Sequence, residues 1–202
     1  DRKLLLMDAG ANAECRPEML RQFGIMASLY LENVEGIKDP EIGLLNIGTE
    51  DTKGGPLQIE AYKLLKESPV NFVGNIEARE LPAGVCDAVI SDGFTGNVVL
   101  KLYEGVASNM MKLIKRTLMS TFRSKIAALL AKKSLYSLKD KMNYDDIGGA
   151  PLLGVKKPVI KAHGSSNANA IKNAIRQAKR CAENDVAGKI SADLQKIAAD
   201  EK

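Results

Sequence analysis

Short apolar runs ending in glycine, asparagine or aspartate alternate along this chain with longer stretches of helical periodicity. That alternation is the signature of βα units built around a mostly parallel sheet. Strands are expected over residues 3–7, 41–47, 71–73, 88–90 and 159–162, and helices over about 17–31, 57–66, 97–120 and 167–184. Pro17 suits a first helical turn, where its missing N–H costs nothing. From Asp185 onward the chain is polar and alanine-rich, so a last helix that frays is expected.

A length of 202 residues with 45% hydrophobic content supports one sizeable core, and a single α/β domain over 1–202 is the expected organisation. The formal charge of +4 is mild and points to neither nucleic-acid binding nor disorder. Cys15, Cys86 and Cys181 are far apart and form no CxxC pair, against a zinc site or a disulfide framework, and a reducing cytoplasm fits them. No run of about 18 apolar residues reads as a membrane span. The chain opens abruptly, Asp1-Arg2-Lys3 leading straight into Leu4-Leu5-Leu6-Met7, so an upstream portion is expected to be missing.

In open parallel sheets, ligands bind where the carboxyl ends of strands meet helix N-termini. Five small-residue loops follow the expected strands: Asp8–Asn12, Asn46–Glu50, Gly74–Glu77, Ser91–Asn97 and His163–Ser166. A phosphate needs backbone N–H donors, glycines that admit close approach, and a helix start carrying partial positive charge. Ser91, Asp92, Gly93, Thr95 and Gly96 supply such a loop, and Gly164, Ser165 and Ser166 repeat the design. The same residue types are also ordinary caps and turn formers. Lys53, before Gly54-Gly55, is either a cation for phosphate or an oxyanion, or a solvated turn lysine. Asn97 is either a carbonyl ligand opening a helix or a plain N-cap. His163, the only histidine, is a candidate general base or a packed side chain. Asp8, Glu50, Glu77 and Asp92 would repel phosphate unless they orient a lysine or hold a metal. Cys15 as nucleophile would need His163 as its base from a remote loop. HExxH, GxxxxGK[ST] and GxSxG are absent, against zinc proteases, P-loop ATPases and α/β-hydrolases.

Between Lys112 and Lys141 nine basic residues face one acid, Asp140. Leu118, Phe122, Ile126, Leu129 and Leu130 recur at three- and four-residue spacing, so they share one helical face, with Lys132 and Lys133 following. Such a segment can lie in an anionic membrane surface, pack at a dimer contact, or dock an acidic carrier protein. A helical protrusion over 106–143 is expected.

Six motifs in order, DAGANAECRPEML (Asp8 to Leu20), GLLNIGTEDTKGG (Gly43 to Gly55), NFVGNIEARE (Asn71 to Glu80), SDGFTGNVVLK (Ser91 to Lys101), GGAPLLGVKKPVIKAHGSS (Gly148 to Ser166) and AIRQA (Ala174 to Ala178), resemble the acyl carrier protein-dependent phosphate acyltransferase family PlsX. The resemblance implies a three-layer α/β fold with helices on both faces of the sheet, like that of phosphate acetyltransferases and isopropylmalate dehydrogenases. It implies a homodimer with a helical hairpin around 121–139 attaching it peripherally to the cytoplasmic membrane face. The implied reaction moves a fatty acyl group from acyl carrier protein to inorganic phosphate, giving acyl phosphate for phospholipid synthesis, with no cofactor and no metal. Lys53, Asn97 and His163 become the expected catalytic groups. Asp8, Asn12, Asn46, Gly48, Glu50, Ser91, Asp92, Gly93, Thr95, Gly96, Gly164, Ser165 and Ser166 become the expected phosphate or substrate contacts. Phe122, Ile126, Leu129, Leu130, Lys132 and Lys133 become the expected membrane contacts. A coenzyme A-dependent phosphate acetyl- or butyryltransferase and a non-catalytic membrane-tethered fragment stay open as alternatives.

Overall fold

A computed structural model of the protein describes residues 4–135, 148–164 and 166–200, with side chains described to residue 196. Four strands, β1 (Leu5–Met7), β2 (Glu41–Asn46), β3 (Asn71–Glu77) and β4 (Ala88–Ile90), form one all-parallel sheet in the order β1-β4-β2-β3. Helices α1 (Pro17–Tyr30) and α2 (Pro56–Lys66) cover one face, and the start of α3 (Gly93–Leu118) packs on the other. The result is a three-layer α/β fold.

Period-2 alternation in β2 sorts its side chains between the faces. Ile42 and Leu44 join Leu20, Phe23, Leu65 and Ile90 in the larger core, beneath α1 and α2. Leu45 points the other way, to Ile76, Val89, Cys86 and the partly buried Val99 of α3. Leu20, Ile42, Leu44 and Leu65 are wholly buried, each contributing about 1.5–3 kcal/mol of transfer free energy. Pro17 occupies the first turn of α1, as its missing N–H predicts.

Three expectations need correction. Residues 74–77, read as a loop, continue β3 to Glu77. Gly74 has φ +97° and the pairing with β2 shifts register at Ile42/Gly43, so the bulge breaks the alternation that would have revealed the strand. The strand expected at 159–162 is β6 (Val159–Lys161), which pairs antiparallel with β5 (Ala150–Leu152) in a separate two-stranded sheet. A buried parallel strand reads as an apolar run, whereas Val159 and Lys161 of β6 are exposed. The helix expected to begin at Asn97 begins at Gly93.

Helices α5 (Ala168–Glu183) and α6 (Val186–Asp200) return the chain to α1. Gln177 Nε2 donates to the Tyr30 hydroxyl at 2.8 Å, and Arg180 reaches both the Val34 carbonyl and Glu35. Burial pushes the Tyr30 hydroxyl pKa up to about 12, against the Gln177 hydrogen bond. In α6, Val186 and Ile190 are buried in the main core, which ties down a helix whose composition alone suggests fraying.

Candidate active site

All four strands of the main sheet run the same way, so their carboxyl ends share one rim. The loop after β1 and the loop after β4 are locked together there. Asp8 is buried and its carboxylate accepts from the N–H groups of Gly10, Ala11 and Asn12 and from Asn12 Nδ2, at 2.7–2.9 Å. Burial acts to raise the Asp8 carboxyl, but the donations from Ala11, Asn12 and Gly10 together hold it below its ordinary value. Ser91 is buried too, and its hydroxyl donates to the Asp8 carbonyl at 3.1 Å.

Asp92 caps α3. Its Oδ1 accepts from the Thr95 N–H at 2.8 Å and its Oδ2 from the Thr95 hydroxyl at 2.7 Å. That cap explains the earlier helix start and places Asn97 in the helix's second turn, where it neither opens nor caps the helix. Gly93 and Gly96 are glycine because the loop backbones lie against them: a Cβ at Gly93 would meet the Asn12 carbonyl oxygen at 2.5 Å, and one at Gly96 would strike the Asp8 carbonyl. Asn97 is exposed, and its side chain lies over Gly10, whose φ is +124°. Beside Gly93, Cys15 is half-buried; burial, reinforced by Asp8 and Asp92, pushes its thiol up despite the Gly93 N–H. A thiol held protonated is a poor nucleophile, which weighs against covalent chemistry at Cys15.

The second group stands at the end of β2, the strand beside β4. Asn46 is buried; its Nδ2 donates to the Lys53 carbonyl at 3.0 Å and its Oδ1 accepts from the Ile47 N–H at 2.8 Å. The amide that sequence reading offered to substrate therefore serves the loop backbone. Gly48 is buried, and a Cβ there would lie 2.9 Å from both Glu50 Oε2 and Lys53 Cγ, so any side chain would have to displace the Glu50 and Lys53 side chains. Lys53 is exposed, with its Nζ 3.8 Å from Glu50 Oε1, a pair too solvated to contribute much stability. Asn75 of β3, which sequence reading did not single out, donates its Nδ2 to the Glu50 carbonyl at 2.7 Å. A polar residue between Gly74 and the apolar Ile76 was the available signal, obscured by reading 74–77 as a loop.

His163 and Gly164 are exposed and follow β6, a strand outside the parallel sheet, so sheet topology does not bring them to this rim. Ser166 is half-buried and its N–H donates to the His163 carbonyl at 3.0 Å. Asn167 caps α5, its Oδ1 accepting from the Ala170 N–H at 2.9 Å. Ser165 lies outside the described residues, as do Lys139, Asp140 and Lys141. Helix α4 (Phe122–Leu130) follows α3 and presents Phe122, Ile126, Leu129 and Leu130 to solvent, with Leu130 83% exposed. Lys132 and Lys133 are exposed just beyond it. No helix among the described residues is long and apolar enough to cross a membrane.

The model of the family described as "Fatty acid synthesis protein" matches residues 1–189. The chain belongs to that family. It is 52% identical over 193 residues to the phosphate acyltransferase of Oceanobacillus iheyensis and 50% identical over 193 residues to that of Clostridium acetobutylicum, covering 96% of this chain and 58% of each relative. The phosphate acyltransferase of Alkaliphilus oremlandii is 52% identical over 197 residues, 98% of this chain and 59% of the relative. The chain thus spans a little under three fifths of the length of the curated relatives it matches. The resemblance carried by the six motifs is to this same family.

Proposed function

We propose that this family member takes part in transferring a fatty acyl group from an acyl carrier protein thioester to inorganic phosphate, giving acyl phosphate for phospholipid synthesis. The observation that carries the reading is the 50–52% identity to proteins named phosphate acyltransferase along nearly all of this chain. The placement of Lys53 beyond β2 and Asn97 beyond β4, on neighbouring strands of one rim, supports it.

A phosphate oxygen attacks the thioester carbonyl carbon, the C–O bond forms, the C–S bond breaks, and the phosphate's proton ends on the departing thiol. Phosphate is itself the nucleophile, so the protein needs to orient the reactants and stabilise charge, without a covalent intermediate. Lys53 supplies a cation for phosphate or the developing oxyanion. Asn97 supplies an amide donor to the carbonyl oxygen. His163 orients a neighbour or protonates the thiolate; a thiolate leaves readily near its ordinary pKa of about 8.5, so that assistance is small. The exposed apolar side of α4, flanked by Lys125, Lys132 and Lys133, suits an anionic membrane surface. The exposed stripe Phe94, Val98, Leu102, Val106 and Met110 along α3 suits a second copy of the chain.

The test is an assay of the full-length protein with acyl carrier protein thioester and phosphate, reading thiol release and acyl phosphate trapped by hydroxylamine. Both products are expected, and exclusive use of the coenzyme A thioester would defeat the reading. Lys53→Ala is expected to lower turnover at least about 100-fold with the fold intact, the scale of losing one preorganised charge donor. Near-normal turnover would remove Lys53 from the mechanism.

A further inference from the structure

Lys53 is held by its peptide groups. Its carbonyl accepts from Asn46 Nδ2 at 3.0 Å, and its N–H donates to the Glu50 carbonyl at 3.1 Å. That Glu50 oxygen also takes Asn75 Nδ2 at 2.7 Å. Both amides are buried, Asn75 to 4% exposure, and they stand on the neighbouring strands β2 and β3. The turn they grip is otherwise exposed, and it runs into Gly54 at φ +94° and Gly55. Without the two amides such a segment has little to hold one geometry.

Asn75 is also an imperfect choice for stability alone. No group among the described residues donates to its Oδ1, and a buried oxygen left in that state is a cost that a packed apolar residue would avoid. Turning the amide over offers no remedy, because it would set Oδ1 against the Glu50 carbonyl oxygen. The feature that this arrangement secures is the fixed position of the Glu50–Lys53 turn.

We propose that Asn75 is a positioning residue for acyl transfer to phosphate: by fixing the Glu50 carbonyl it sets where the Lys53 ammonium stands. The proposal deepens the reading given above and rests on it. A catalytic cation displaced by about 1 Å loses on the order of 100-fold in rate, so releasing one of two anchors is expected to lower kcat by about 10- to 100-fold.

A double-mutant cycle in the full-length protein tests this, with Asn75→Ala, Lys53→Ala and the pair compared for kcat and for KM of phosphate, alongside urea midpoints. Asn75→Leu is carried in parallel; it keeps the branched shape with no N–H donor and no buried charge, so it covers the case of a poorly folded alanine variant. The expected result is a lowered kcat in Asn75→Ala and Asn75→Leu, and no further loss when Asn75→Ala is added to Lys53→Ala. Losses that multiply in the pair, with Lys53→Ala itself crippled, would overturn the role of Asn75 and leave the proposed reaction standing. Unchanged kcat in both Asn75 variants would overturn it as well. Near-normal turnover in Lys53→Ala would sink the assignment of Lys53, and this proposal with it.

Discussion

Two identical substitutions on one helix are expected to act in opposite directions. Gly96 and Gly105 both lie in α3, and alanine in place of glycine in a helix gains about 1 kcal/mol of propensity. At Gly105 a Cβ meets nothing within 4 Å, so Gly105→Ala keeps the whole gain and stabilises by about 0.5–1 kcal/mol. At Gly96 the new Cβ would lie 2.6 Å from Ser91 Oγ and 3.0 Å from the Asp8 carbonyl carbon, and nearer still to that carbonyl's oxygen. Backbone cannot rotate aside, so the start of α3 must recede from the loop after β1. Overpacking of this kind costs about 1–3 kcal/mol. Receding also stretches the Ser91 Oγ to Asp8 O bond (3.1 Å) and the Gly93 N to Asn12 O bond (2.8 Å), each contributing about 0.5–1.5 kcal/mol. After the propensity gain is subtracted, Gly96→Ala is expected to destabilise by about 3 kcal/mol. Urea unfolding at unchanged slope measures both variants, and shifts of the same sign would refute the reasoning about close approach at Gly96.

Asp8 and the exposed face of α4 each give a further expected outcome. Because Asp8 titrates below its ordinary value in the fold, its contribution is present above the unfolded carboxylate range near 3.9 and is lost as pH falls through the lower folded value. Asp8→Asn should therefore unfold at lower urea than the native protein at neutral pH, with the gap closing on acidification below about pH 4; a gap constant from pH 7 to pH 3 would show that the carboxylate's charge is not what the nest of N–H groups holds. If α4 meets a membrane as proposed, replacing its exposed Leu129 and Leu130 by aspartate should release the protein from vesicles rich in anionic lipid. Sedimentation with vesicles reads this, and undiminished binding would mean that the face has another use.

The strands after which chemistry was sought were legible where burial on both faces leaves a continuous apolar run, as in Leu44-Leu45 and Ala88-Val89-Ile90. Two things were hidden. Gly74 interrupts β3 with a conformation that only its backbone reveals, and so Asn75, a polar residue inside a strand, read as part of a loop. The start of α3 was misplaced because Gly93 and Gly96 look like loop residues; the contacts that demand glycine there come from Asp8 and Asn12, about 80 positions away in sequence and invisible to local periodicity. Side-chain types announced the rim, but long-range packing decided which of them stay exposed there and which hold the loops.

That division bears on where an anion can sit. The loops after β1 and β4 were attractive as phosphate cradles because they combine glycines, hydroxyls and a helix start. In the fold their own carboxylates take those donors: Asp8 occupies the N–H groups of residues 10–12, and Asp92 occupies the N–H and hydroxyl of Thr95. An incoming phosphate would have to displace a buried carboxylate bonded by four donors, one of them a side chain. Lys53 and Asn97 are instead exposed at the same rim. The acids thus serve best as rigid internal anions that shape two loops, which in the proposed reaction leaves phosphate to the cation beyond β2 and the amide beyond β4. On this division of labour, Asp92→Ala should act on stability through the cap of α3, and Lys53→Ala on turnover.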